Sequence, residues 1–126
     1  GAVPVAAALF HKLPIEGKKV VCLISGGNID VNILNRVITR GLVMSGRKAN
    51  LTIALEDKPG QLEKVAAIVS RCGSNVVSVL HDGSDPNMPI SSCFLKLTLE
   101  TRDNAQIEQI RQELAKAGFQ LVAERV

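Results

Sequence analysis

The chain has 126 residues and a formal net charge of +3, room for one domain or for one small domain with a further fragment. Hydrophobic residues make up 46% of it, but aromatics only 2%, with neither Trp nor Tyr, so aliphatic side chains must fill any core. The mild charge, without a long run of one sign, argues against a surface that tracks nucleic-acid phosphates. The apolar start at residues 2–10 lacks a basic flank, is broken by Pro4 and is too short to span a bilayer.

In chain order, residues 4–12 suit a short helix ended by Leu13-Pro14. Residues 20–24 are a continuous apolar run flanked by Lys18, Lys19 and Ser25, the pattern of a parallel strand buried on both faces. Ser25-Gly26-Gly27-Asn28 is a tight glycine turn. Asp30 is placed to cap the next helix, whose stripe is Ile33, Leu34, Val37, Ile38 and Leu42, with Asn32, Arg36 and Arg40 facing away. Gly41 and Ser45-Gly46 punctuate its end. This first third reads as an αβα edge of a larger α/β domain.

From about Ala49 the pattern becomes self-sufficient. Leu51, Ile53 and Leu55 alternate with Thr52, Ala54 and Glu56, the period of a half-buried strand. Asp57-Lys58-Pro59-Gly60 breaks it, and Leu62, Val65, Ala66 and Val69 open a helix running from Gly60 to Cys72. Gly73-Ser74 stops that helix. Residues 75–81 read as a second strand and residues 82–89 as a loop rich in Gly, Pro, Asp and Asn. Cys93, Leu95, Leu97 and Leu99 alternate with polar partners in a third strand. Ile107, Ile110, Leu114 and Ala117 mark a second helix, capped by Thr101 or Asp103 and stopped by Gly118. Residues 119–123 give a fourth strand. The order βαββαβ predicts an α+β, ferredoxin-like domain: a four-stranded antiparallel sheet with both helices on one face.

Cys22, Cys72 and Cys93 are odd in number and widely spaced among apolar residues. They read as buried thiols of a cytoplasmic protein, with neither a disulfide frame nor a metal site. His81, at a strand end beside a polar loop, reads as a solvated or locally bonded histidine. An RNA-recognition domain would need stacking aromatics on its central strands, where only Phe94 occurs. A metallochaperone would carry Cys-x-x-Cys in the 57–62 loop, which has no cysteine.

Glu56-Asp57-Lys58-Pro59-Gly60-Gln61-Leu62, followed after a helix by Gly73-Ser74-Asn75-Val76, resembles an ACT domain, the small-molecule regulatory module of amino-acid enzymes. Upstream, Lys19-Val20-Val21-Cys22-Leu23-Ile24-Ser25-Gly26-Gly27-Asn28-Ile29-Asp30 resembles the end of a serine/threonine dehydratase catalytic domain of the fold-type II, pyridoxal-phosphate class. The two stretches together resemble the shorter threonine dehydratases with one ACT domain, lacking most of the catalytic part. The resemblance implies residues 1–46 as catalytic remnant and linker, and residues 47–126 as the ACT domain.

It also implies a site for each part. Ser25 would hydrogen-bond the pyridine nitrogen of pyridoxal phosphate, with Gly26 and Gly27 keeping the backbone near the ring. The alternative is a plain strand-to-helix turn. No lysine here has the family's Ser-Phe-Lys context, and the glycine-rich phosphate loop is not seen, so the chain alone is expected neither to catalyse nor to bind the cofactor. In the ACT part, Asp57, Gly60, Gln61 and Leu62 of one subunit and Asn75, Val76 and Val77 of its partner would hold an amino-acid effector. Free helix N–H groups after Gly60 suit a carboxylate, Asp57 and Asn75 an ammonium, and Leu62 and Val77 a branched side chain. The expected partners are the effector, of isoleucine or valine type, and a second copy of the chain in a homodimer or higher oligomer. Nucleic acid and membrane are not expected. A domain that only pairs subunits, or a parent closer to a serine dehydratase or serine racemase, are the alternatives.

Overall fold

The computed structural model describes residues 1–83 and 89–122. Their contacts divide the chain into two units, Gly1–Asn35 and Arg36–Val126, with the division falling inside one helix.

In the first unit, α1 (Val3–Leu9) starts with Pro4 in its first turn, where a missing N–H costs nothing. It ends three residues before the predicted position, because His11 takes a left-handed φ of 50° and closes the helix through bonds to Ala7 and Ala8 carbonyls by Lys12 and His11 N–H. The strand expected at residues 20–24 does not form, and Val21 is 96% exposed. A strand buried on both faces needs neighbours on both edges to take its N–H and C=O groups, and the described residues of this unit supply none. The apolar run records what the segment prefers to touch; it does not by itself make a strand. The helix predicted after Asp30 does form as α2 (Val31–Met44), and the Asp30 carboxylate accepts from Asn32 N–H at 2.8 Å and Ile33 N–H at 3.3 Å.

The second unit holds β1 (Lys48–Glu56), α3 (Gln61–Arg71), β2 (Asn75–Asp82), β3 (Ser92–Glu100), α4 (Asn104–Lys116) and β4 (Gln120–Val122). The sheet order is β2-β3-β1-β4, and every pairing is antiparallel. β1 begins earlier than its alternation suggested, since Lys48 and Ala49 already pair with Glu100 and Leu99. The register sets Leu51 against Leu97, Ile53 against Leu95 and Leu55 against Cys93, so β1 and β3 present one apolar face. Val65, Ile68 and Val69 of α3 and Ile110 and Leu114 of α4 cover that face. Without Trp or Tyr, the core is built from aliphatic side chains, as the composition required.

Three local devices hold the unit in shape. Asp103, not Thr101, caps α4, accepting from Gln106 N–H at 2.8 Å. Buried Gln106 then accepts from Arg102 N–H at 2.7 Å and donates to the Cys72 carbonyl at 2.8 Å, tying the end of α3 to the start of α4. Thr101 instead donates its hydroxyl to the Gly46 carbonyl at 2.7 Å. Gly46 ends α2 at φ 69°, with Arg47 N–H bonding the Leu42 carbonyl and Gly46 N–H that of Val43, the paired closure that favours glycine. Most of the 82–89 loop and the end of the predicted fourth strand, at residue 123, lie outside the described residues.

Candidate functional site

β1 ends at Glu56, and the chain turns through Asp57-Lys58-Pro59-Gly60 into α3. The Asp57 N–H donates to the Ser91 carbonyl at 2.8 Å, fixing the turn against the start of β3. Lys58 pairs with Glu56 at 2.5 Å, and this hydrogen bond and charge hold the Glu56 carboxyl below its usual range. Gly60 caps α3 at φ 86° with no side-chain hydrogen bond to the helix. The first-turn N–H groups of α3 lack intrahelical acceptors by construction, and Leu62 stands 50% exposed beside them. Gln61 lines a separate cleft of about 430 Å³ with Glu56, Lys64, Ser92 and Phe119.

Asn75, Val76 and Val77 lie at the opposite end of the sheet. Asn75 pairs with Glu100 and its amide donates to the Glu100 carboxylate at 3.3 Å. Val76 is half-buried against the core. The register shifts between Val76 and Ser78, so Val77 is the extra residue of a bulge, with its side chain 52% exposed. Asn75 and Val77 line a cleft of about 500 Å³ with Arg47, Lys48, Glu100 and Arg102. Within one chain the structure therefore does not bring the two halves of the expected effector site together: β2 spans about 3.3 Å per residue between Asn75 at one end and Asp82 beside the turn at the other.

Two features escaped sequence reasoning. Glu100 supplies a carboxylate beside Asn75, a stronger ammonium partner than the amide, and the cross-strand register alone reveals it. At the turn end, His81 Nε2 lies 3.0 Å from Cys93 Sγ and 3.7 Å from Asp57 Oδ1. His81 is locally bonded, as read from its position. Burial, and then the Asp57 carboxylate, push the Cys93 thiol above its usual range.

In the first unit, Ser25, Gly26 and Gly27 are exposed and belong to no helix or strand, with Gly26 at φ 81°. One serine hydroxyl in an exposed turn has no wall against which a pyridoxal ring would stack.

The four antiparallel strands in the order β2-β3-β1-β4, the two helices on one face and the glycine turn into the first of them define a ferredoxin-like domain of the α+β class. No protein-family model matches the chain. The L-threonine ammonia-lyase of Thermotoga maritima is 46% identical over 121 residues, which are 96% of this chain and 30% of that protein. The L-threonine ammonia-lyase of Geobacter sulfurreducens is 36% identical over 119 residues, 94% of this chain and 30% of that protein. The biosynthetic L-threonine dehydratase IlvA of Lactococcus lactis is 42% identical over 62 residues, 49% of this chain and 15% of that protein. Among solved structures, the ACT domain from GTP pyrophosphokinase of Chlorobium tepidum superposes with a TM-score of 0.46 at 15% identity, over 60% of this chain and 96% of that one. The chain is homologous to the C-terminal part of L-threonine ammonia-lyases and spans 30% of the length of the first two. No helix among the described residues is long and apolar enough to cross a membrane.

Proposed function

We propose that this chain is the regulatory end of a pyridoxal-phosphate-dependent threonine ammonia-lyase, which deaminates threonine to 2-oxobutanoate and ammonia. Residues 1–46 are the end of the catalytic domain and its linker, and residues 47–126 the ACT domain. A branched aliphatic amino acid, isoleucine or valine, binds between the 57–62 turn of one subunit and residues 75–77 of the next, and its differential affinity for two assemblies sets the activity of the whole enzyme. The similarity over nearly the full chain to the C-terminal part of named ammonia-lyases carries this reading.

The geometry supports the effector half of it. Uncapped N–H donors after Gly60 suit the α-carboxylate, Asp57 or Glu100 the ammonium, and the exposed Leu62 and Val77 an apolar side chain. These groups sit at opposite ends of one sheet, so a second copy is required to juxtapose them. β2 is an edge strand of eight residues with one side unpaired among the described residues, a natural seam for closed two-fold pairing. The test is calorimetry of the 126-residue chain with isoleucine, valine, threonine and serine, alongside sedimentation. A dimer with saturable heat from a branched amino acid is expected. Gly60→Ala weakens it most and Asp57→Asn less. Among the described residues, no atom beyond Gly60 and its chain neighbours lies within 4 Å of a methyl placed on Gly60, so the damage comes from the left-handed φ and from the ligand side. Dimers without heat from any of these amino acids would leave subunit pairing as the domain's only role, and monomers would remove the shared site altogether.

A further inference from the structure

Asp57, His81 and Cys93 come from three elements: the turn after β1, the end of β2 and the start of β3. The sheet register gathers them. Leu55 faces Cys93 and His81 faces Leu95, so Asp57, two residues beyond Leu55, and His81, diagonal to Cys93, project to the same side as the thiol. One ligand atom from each residue lies within 4.8 Å of the other two. Nε2 of His81 is 3.0 Å from Sγ of Cys93 and 3.7 Å from Oδ1 of Asp57.

We propose that Asp57, His81 and Cys93 form a binding site for a thiophilic divalent cation of the zinc and cobalt class, with its remaining coordination position open to solvent or to a small ligand. Thiolate, imidazole and carboxylate are the donors such ions take, at about 2.0–2.3 Å and with tetrahedral angles. Those bond lengths put neighbouring donor atoms roughly 3.3–3.8 Å apart, and His81 and Asp57 already stand at that spacing. The imidazole must back away slightly from the sulfur, and the Asp57 carboxylate, within 4.8 Å of the sulfur, must reach that spacing from it. His81 and Asp57 are exposed side chains and free to do so, while Cys93, 1% exposed, is the fixed floor of the site. On binding, the Sγ–H bond breaks, its proton passes to solvent and an Sγ–metal bond forms, which turns the thiol into the strongest of the three ligands. Harder ions such as magnesium and calcium, which take all-oxygen sets, are excluded by the donor chemistry.

The site shares Asp57 with the amino-acid reading above but does not rest on it. Cobalt(II) titrated into the 126-residue chain under reducing conditions is therefore measured without any amino acid present. One equivalent per chain is expected, with tetrahedral visible bands and a thiolate-to-cobalt charge-transfer band that zinc bleaches by displacement. Cys93→Ser should abolish the charge-transfer band, and Cys72→Ser should leave it intact. His81→Ala and Asp57→Asn should each weaken binding by about tenfold or more, the scale that even outer-shell partners reach. Circular dichroism confirms that each variant is folded, and His81→Ala, at an exposed position, tests the site even where Cys93→Ser disturbs the core. Absence of the band at excess cobalt, or its survival in Cys93→Ser or undiminished in His81→Ala, would overturn the assignment and leave the cluster as a local polar contact.

Discussion

Gly1–Asn35 and Arg36–Val126 are both rich in aliphatic residues, yet they use them in opposite ways. In the first unit no residue is buried, and Val20, Val21, Leu23 and Ile24 face solvent. In the second, two strands alternate at period two, two helices repeat at period 3.6, and the two patterns meet face to face over Ile53, Leu95, Val65 and Ile110. Apolar content is thus not a core. A core requires that each apolar face find a second face of matching shape within reach, and only the βαββαβ order supplies one.

The largest test of this contrast is a pair of truncations. Leu95→Ala should cost about 2–5 kcal/mol, since a fully buried leucine loses its transfer energy and leaves a cavity. Val21→Ala should leave urea unfolding of the chain unchanged. Equal losses would show that the first unit has a packed interior of its own.

A smaller effect is expected where α2 runs into β1. Gly46 is buried at φ 69°, and a methyl placed on it would come 2.6 Å from the Asn104 backbone nitrogen and 2.5 Å from its side-chain oxygen. The left-handed backbone alone costs an L-residue about 1–2 kcal/mol, and the overlap adds to that because a backbone atom cannot simply rotate away. Gly46→Ala should lower the melting temperature clearly, and Gly26→Ala, at a similar φ in the first unit but with open space around it, should lower it less, by the backbone cost alone. A silent Gly46→Ala would mean that the α2 closure is dispensable to the sheet domain.

The smallest effect concerns surface charge at the site. Lys58 depresses the Glu56 carboxyl, so whatever the pair contributes is present above the ordinary carboxylate value of 4.5 and is lost as pH falls through the lower folded value. Both side chains are exposed, and solvent screens such pairs. Glu56→Gln should therefore melt like the parent at neutral pH and lose slightly less stability on acidification. A clear loss at neutral pH would make Glu56 part of the site's architecture rather than its rim.

Much of the fold is legible in the chain because the second unit's signals agree with one another. Alternation at residues 92–100, Asp103 before α4, and Gly60, Gly73 and Gly118 at helix ends each point to the element that forms. At residues 20–24 the local preference has no counterpart across the sheet, and the same apolar run that would signal a buried strand elsewhere stays irregular. The expected site was drawn across two subunits, and one chain carries its halves at separate places. Asp57, Gly60, Gln61 and Leu62 share one turn, as their adjacency in sequence demands. Their distance from Asn75, Val76 and Val77 is a property of strand length and direction that no motif encodes.

The sequence by itself determined the secondary elements of residues 48–122, their order, the aliphatic nature of the core and the resemblance to threonine ammonia-lyases, because periodicity, caps and turn residues are local and act within a few positions. Only the tertiary structure decided which side chains from distant elements meet: Glu100 beside Asn75, Gln106 across to the Cys72 carbonyl, and Asp57, His81 and Cys93 at one corner of the sheet. Those meetings depend on register, and register is set by the whole apolar face seeking its cover, not by any single stretch of the chain.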